Sequence, residues 1–331
     1  MHTHASVREK PAASGGEPSG TPVVDLAGVR YSFGSGAGLV DLNLSVPGGS
    51  ITVLVGPNGA GKTTALRIVT GALSPHEGTA RVFGSDPSGA EGEQVRRRCG
   101  VVAAKPALYD RLTGRDNLRY AAELFGLGRH APVEDAAARF GIDRSLDLRV
   151  GGYSTGMKTR LALARAVLHG PDLLLLDEPT SGLDPESSHA VLGLVREMAA
   201  GGATVVMSTH LLLEAEGLAD QVVMMEHGTA VLAGTTEALM RRYWPRPVVR
   251  FGAEGTAELD ILATMDGVVA YRPNGPSAEV ELDDLARVPV LVAALAGAGV
   301  RLTFVTPHER SLEELYLRVR LGSAESGEDP R

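Results

Sequence analysis

Cysteine is nearly missing from this sequence: Cys99 is the only one in 331 residues. An internal disulfide is therefore excluded, and a reducing compartment is the expected setting. Positive charge is in deficit too, with 32 Lys and Arg against 40 Asp and Glu and a net charge of -8. General, charge-driven affinity for nucleic acid is not expected. Long apolar runs are also lacking. The longest, "VPVLVAALAGAGV" at 288–300, falls short of the roughly 20 residues a membrane helix needs. No basic-then-apolar leader opens the chain, so no secretory signal is expected. What the sequence does have is glycine, 41 in all, and a 44% hydrophobic share that can build a sizeable core. The length suits one large domain with a smaller one.

Residues 1–21 are polar and rich in Pro, Gly and Ser, as expected of a disordered arm. His2 and His4 read there as part of a solvated tail and not as a metal site. "TPVVDLAGVRYSF", "GLVDLNLSVPGGSITVLVG" and "GTARVFG" read as short strands punctuated by Gly and Pro. From about 107 to 170 the text turns helical, with "DNLRYAAELFGL", "VEDAAARFGI" and "MKTRLALARAVLHG", and a helical subdomain is expected over about 105–165. "DLLLLDEP" and "ATVVMST" are continuous apolar runs of the kind buried on both faces of a sheet. Strands alternating with helices predict an α/β sheet with mainly parallel strands. Beyond Pro245 and Pro247 the character changes, and 245–321 predicts a small α+β domain. It closes on "SLEELYLRVRL", a helix with a Ser311/Glu314 capping box and an apolar stripe of Leu312, Leu315 and Val319. A disordered tail, 322–331, is expected after it.

The chemistry starts at "LVGPNGAGKTTALRI". Gly56-Pro57-Asn58-Gly59-Ala60-Gly61-Lys62-Thr63 fits G-x-x-x-x-G-K-[ST] between a predicted strand and a predicted helix, the context that makes this motif specific. Glycines let backbone N–H groups curl around an anion, and the helix adds its positive end. Lys62 is placed to reach phosphates, Thr63 to hold Mg²⁺, and Thr64 to add a phosphate contact. Downstream, Asp177 and Glu178 stand together at a strand end, the edge where open α/β sheets bind ligands. Asp177 is the candidate Mg²⁺ carboxylate and Glu178 the candidate base for a water attacking the γ-phosphate.

By this point the sequence resembles the ATP-binding-cassette ATPases, over about 22–240. "YSTGMKTRLALARAVLHGPDLLLLDEPTSGLDP" is similar to their signature segment, second nucleotide motif and D-loop. "VVMSTH" resembles the strand that delivers the switch histidine, here His210. The resemblance implies a P-loop ATPase core with a mainly parallel sheet, a small antiparallel β-subdomain and a helical subdomain. It implies ATP and Mg²⁺ as cofactors, and a head-to-tail dimer with a second copy that buries two ATPs. Ser154, Thr155, Gly156 and Met157 would act across that interface, and Asp184 in the D-loop would cross it. Phe33 would stack on adenine, with Tyr31 the runner-up.

"YSTGM", "ALYDRLTGRDNL" and the C-terminal domain ending "SLEELYLRV" resemble the ABC-2-type, drug-resistance branch of exporters. That implies a separate transmembrane permease as partner, a cytoplasmic position against the inner face of the membrane, and no nucleic acid. The alternatives are a soluble cassette acting on nucleic acid or the ribosome, and a low-turnover regulatory cassette. One departure bears on the last. In "CGVVAAKPALY", Ala104 stands where the family usually has a Gln that touches Mg²⁺ and the attacking water, and Lys105 is next in line. Elsewhere, Cys99, Met224 and Met225 read as core. Arg241, Arg242, Arg246 and Arg250 around Trp244 read as a solvated linker face, with lipid headgroups or the permease as the other reading.

Overall fold

The computed structural model describes residues 21–34, 36–255 and 257–325. The arm and tail expected to be disordered lie outside the described residues, apart from Thr21 and 322–325. The chain divides into two compact units, Met1–Thr236 and Glu237–Arg331.

The first unit holds nine strands: β1 (Val24–Ser32), β2 (Gly38–Val46), β3 (Ile51–Val55), β4 (Glu77–Val82), β5 (Cys99–Val102), β6 (Leu173–Asp177), β7 (Thr204–Thr209), β8 (Gln221–Glu226) and β9 (Thr229–Gly234). They form one sheet in the order β4-β1-β2-β9-β8-β3-β7-β6-β5. β3 runs parallel to β7 and β8, and β6 parallel to β5 and β7. β1 pairs antiparallel with β2 and β4, which makes the expected antiparallel portion. Its strands alternate buried and exposed residues, whereas β3, β6 and β7 are buried at every position. That difference follows from covering: a central parallel strand has helices on both faces and needs apolar residues throughout. Leu173, Leu174, Leu175 and Leu176 of β6 are each at most 1% exposed, and burying one such side chain stabilises by about 1.5–3 kcal/mol.

The helices of this unit are α1 (Lys62–Val69), α2 (Gly92–Arg97), α3 (Gly114–Leu124), α4 (Val133–Arg139), α5 (Thr155–Val167), α6 (Pro185–Ala200) and α7 (Leu212–Leu218). α3, α4 and α5 fill the stretch between β5 and β6 and pack on one another. β8 and β9, which the punctuation by Gly and Pro does not reveal, pair antiparallel and bury Met224 and Met225 completely. Cys99 is buried, and desolvation pushes its thiol up to about 12, so it is inert at neutral pH.

The second unit contains most of α8 (Thr236–Tyr243), then β10 (Val248–Ala253), β11 (Val268–Asn274), β12 (Ser277–Leu282), α9 (Val288–Gly297), β13 (Leu302–Pro307) and α10 (Leu312–Glu325). Its four strands pair antiparallel in the order β11-β12-β10-β13 around a separate core that includes Phe251, Val280, Leu291 and Leu295. α9 carries the longest apolar run as a short helix with Pro near its start. α10 buries Leu312 and Leu315 and extends to Glu325, beyond residue 321 where the sequence pattern ends it. In the basic run Arg241, Arg242 and Arg246 are exposed, in keeping with a solvated face, and Arg250 is half-buried. Arg241 pairs with Glu237 at 3.0 Å and Arg246 with Glu281 at 3.6 Å. The guanidinium groups of Arg310 and Arg318 lie 5.3 and 5.0 Å from the centre of the Trp244 ring.

Candidate functional site

Parallel pairing brings the C-terminal ends of β3, β6 and β7 to one edge of the sheet. The phosphate-type loop leaves β3 there and turns into α1. Two of its glycines are required by the backbone. A Cβ on Gly56 would collide with the Met225 carbonyl, and Gly61 sits at φ 102° as the residue before α1, a conformation costly for any other residue. The loop is anchored from behind, since the Gly228 N–H donates to the Ala60 carbonyl at 3.1 Å. Its tip, Pro57, Asn58 and Gly59, stays exposed, while Thr64 is buried behind it.

Lys62 is 5% exposed and donates to the carbonyls of Gly56 at 2.7 Å and Pro57 at 3.1 Å. Burial lowers its pKa, and the charges of Glu178 and Asp177 act in the opposite direction. Its Nζ lies 3.8 Å from Glu178 Oε1. Thr63 Oγ1 donates to the Asp177 carboxylate, at 2.9 Å from Oδ2 and 3.1 Å from Oδ1. His210 Nδ1 is 3.5 Å from Glu178 Oε2. Lys62, Thr63, Asp177, Glu178 and His210 are thus joined by direct contacts, although they come from three separate stretches of sequence.

Glu178 has φ 47°, a left-handed conformation that a side chain other than glycine adopts at a cost of about 1–2 kcal/mol. Two acceptors on one residue hold it there. The Glu178 N–H donates to Ser208 O at 3.1 Å and to Ser208 Oγ at 3.0 Å. The same Ser208 hydroxyl donates to Asp177 Oδ1 at 2.6 Å. Thr180 and Thr209 donate to Glu214 Oε2 at 2.9 and 2.8 Å. Sequence reasoning missed Ser208, Thr180, Thr209 and Glu214. The available signal was polar: Ser208 and Thr209 follow the apolar Val205, Val206 and Met207 at the end of a fully buried strand, and buried hydroxyls need partners.

The remaining predicted residues sit apart from this cluster. Phe33 is 37% exposed and meets Tyr31 edge-on at 4.9 Å, while Tyr31 stacks on His76 and packs on the core. Ser154 caps α5 by accepting from the Met157 N–H at 3.2 Å, and Thr155, Gly156 and Met157 form its first turn. Asp184 caps α6, accepting from Ser187 N at 2.9 Å and Ser187 Oγ at 2.7 Å, bonds that hold its carboxyl below the usual carboxylate range. Ala104 and Lys105 are exposed just past β5, whose Val102 pairs with Leu176 beside Asp177. Among the described residues no hydrogen bond or ion pair joins Phe33, Ser154, Asp184 or Ala104 to the Lys62–Asp177–Glu178 cluster.

Residues 39–181 match the family model described as ABC transporter. The daunorubicin/doxorubicin resistance ATP-binding protein DrrA of Streptomyces peucetius is 34% identical over 305 residues, 90% of this chain and 92% of that protein. The Nod factor export ATP-binding protein I of Rhizobium sp. (strain N33) is 35% identical over 304 residues, 89% of this chain and 96% of that protein. A solved ATP-binding subunit of an ABC transporter superposes with a TM-score of 0.60 at 30% identity, over 67% of this chain and 93% of the other.

Proposed function

The chain belongs to the ATP-binding subunits of ABC transporters, which are ATPases, and from that premise we propose that it powers an ABC-2-type exporter whose membrane permease is a separate polypeptide. No helix among the described residues is long and apolar enough to cross a membrane, and the proposal assigns the span to that partner. The observation that carries the reading is the contact set Lys62, Thr63, Asp177, Glu178 and His210 at one sheet edge. The likeness to a drug-resistance and a Nod-factor-export protein supports a cargo of drugs, antibiotics or other small hydrophobic compounds. By the same likeness the protein works at the inner face of the membrane, bound to its permease.

In this reading the phosphate loop cradles the triphosphate with its backbone N–H groups, and Lys62 faces the β- and γ-phosphates. The Thr63 hydroxyl and the Asp177 carboxylate, adjacent at 2.9 Å, fit Mg²⁺. That ion prefers hard oxygen donors, takes one or two carboxylates and keeps several waters. An Mg²⁺ held by Thr63 and Asp177 would neutralise charge on the phosphate oxygens. Glu178 accepts the proton of the attacking water, and His210, 3.5 Å from it, orients that carboxylate and meets the γ-phosphate. Phe33 stacks on adenine. Two copies pair head to tail, so that Ser154 to Met157 at the start of α5 face the γ-phosphate held by the other copy.

Two variants test this. Lys62→Ala is expected to stay folded and lose at least about tenfold in Mg-ATP affinity by calorimetry. Glu178→Gln is expected to bind ATP, turn over roughly 10²–10⁴-fold more slowly, and accumulate as a dimer in gel filtration. Unaltered affinity in the first, or wild-type phosphate release in the second, rules the assignment out.

A further inference from the structure

Glu178 and His210 reach the site from the ends of two different strands, and one carboxylate outside the set above accepts from a near neighbour of each. Glu214 lies on α7. Thr180, two residues beyond Glu178, donates to its Oε2 at 2.9 Å. Thr209, directly before His210, donates to the same oxygen at 2.8 Å. The N–H of Leu211, directly after His210, donates to Thr209 Oγ1 at 3.1 Å. His210 is therefore flanked on both sides by residues whose hydrogen bonds lead to Glu214. Thr180 and Thr209 are 5% and 2% exposed, so water is not a ready substitute acceptor for either hydroxyl. A carboxylate oxygen is an acceptor only, and its charge strengthens both bonds.

We propose that Glu214 is a positioning residue for ATP hydrolysis. It staples the Glu178 loop to the His210 turn and so sets the 3.5 Å approach of Glu178 Oε2 to His210 Nδ1. It touches no reacting atom, and the helix it stands on is packed by other residues, Ala215 and Leu218. Its contribution rests on the ATPase reading of the site and is one of geometry. Displacing a reacting group by about 1 Å can cost roughly 10²-fold in rate.

The test compares the full chain with Glu214→Ala, Glu214→Gln, Thr180→Val and the Thr180→Val/Glu214→Ala pair. Steady-state phosphate release, ATP calorimetry and amide hydrogen exchange are measured on each. Glu214→Ala is expected to lower kcat by roughly 10-fold to 10²-fold with KM and ATP affinity nearly unchanged. Glu214→Gln keeps an oxygen that accepts both hydroxyls, so it is expected to hold kcat within about threefold of wild type. Thr180→Val should slow the enzyme alone and add nothing on top of Glu214→Ala. Exchange in segments 178–183 and 208–213 should quicken together in Glu214→Ala, with the phosphate loop as in wild type. Wild-type kcat and wild-type exchange in folded Glu214→Ala overturn the proposal. So does a Thr180→Val loss that is fully additive with Glu214→Ala. A wild-type chain that releases no phosphate defeats the ATPase reading alone. The exchange arm still decides the staple: joint acceleration supports it and unchanged exchange overturns it.

Discussion

Alanine at position 104 stands where the family resemblance sets a glutamine. It is exposed just beyond β5, one strand over from Asp177. A glutamine at that point would offer an oxygen to Mg²⁺ and amide hydrogens to water, and alanine offers neither. Mg²⁺ tolerates a further water in its shell, so ATP binding is expected to survive while the attacking water loses one orienting contact. Basal turnover of the isolated protein is therefore expected to be slow. Ala104→Gln should raise kcat by about tenfold, and Lys105→Ala, which changes an exposed side chain, should leave it unaltered. Steady-state phosphate release from the three proteins under one set of conditions checks this. Fast wild-type turnover that Ala104→Gln does not change would count against it. The first contacts of the site were legible because Lys62 and Thr63 belong to one contiguous motif and Asp177 and Glu178 to another. Ser208 and Glu214 were not, because each acts on a residue 30 to 34 positions away, and no local spacing encodes such a contact.

At the scale of elements, the local rules of helix termini act alongside the apolar pattern. α3 starts at a complete capping box. The Asp116 N–H donates to Thr113 Oγ1 at 3.0 Å and the Thr113 N–H donates to Asp116 Oδ2 at 3.3 Å. Thr113→Ala removes the hydroxyl that satisfies one of the orphan donors at the start of the helix. A loss of about 1 kcal/mol is expected, read as a lower midpoint in urea unfolding followed by circular dichroism. An unchanged midpoint would mean that packing of Leu118, Ala121 and Ala122 alone sets the stability of α3. The central strands were legible for a related reason: an unbroken apolar run of strand length has few other places to go. β11 was not, because Pro273 interrupts its pattern. Its position at the edge of the second sheet explains how the proline is accommodated, since an edge strand can spare a ladder donor.

For the whole molecule, the two units are built on separate cores, one including Leu54, Ile68, Leu173 and Val206, the other Phe251, Val280, Leu291 and Leu295. Every residue proposed to meet ATP, Mg²⁺ or the attacking water belongs to the first. No phosphate, metal or nucleophile motif occurs beyond residue 245 in the sequence. We therefore propose that the second unit supports pairing or regulation and takes no part in the chemistry. A compact unit with its own core can fold alone, and Thr236 stands two residues past the end of β9, the last strand in sequence of the first sheet. A chain ended after Thr236 is expected to unfold cooperatively, to bind Mg-ATP within about threefold of the full chain, and to dimerise less readily when Glu178→Gln is added. Calorimetry of the shortened chain and gel filtration of its Glu178→Gln form, each beside the full-length protein, make the comparison. Loss of ATP binding in a shortened chain that still melts cooperatively would place part of the nucleotide site in the second unit. Dimerisation equal to that of the full-length Glu178→Gln protein would remove pairing from that unit's roles and leave regulation.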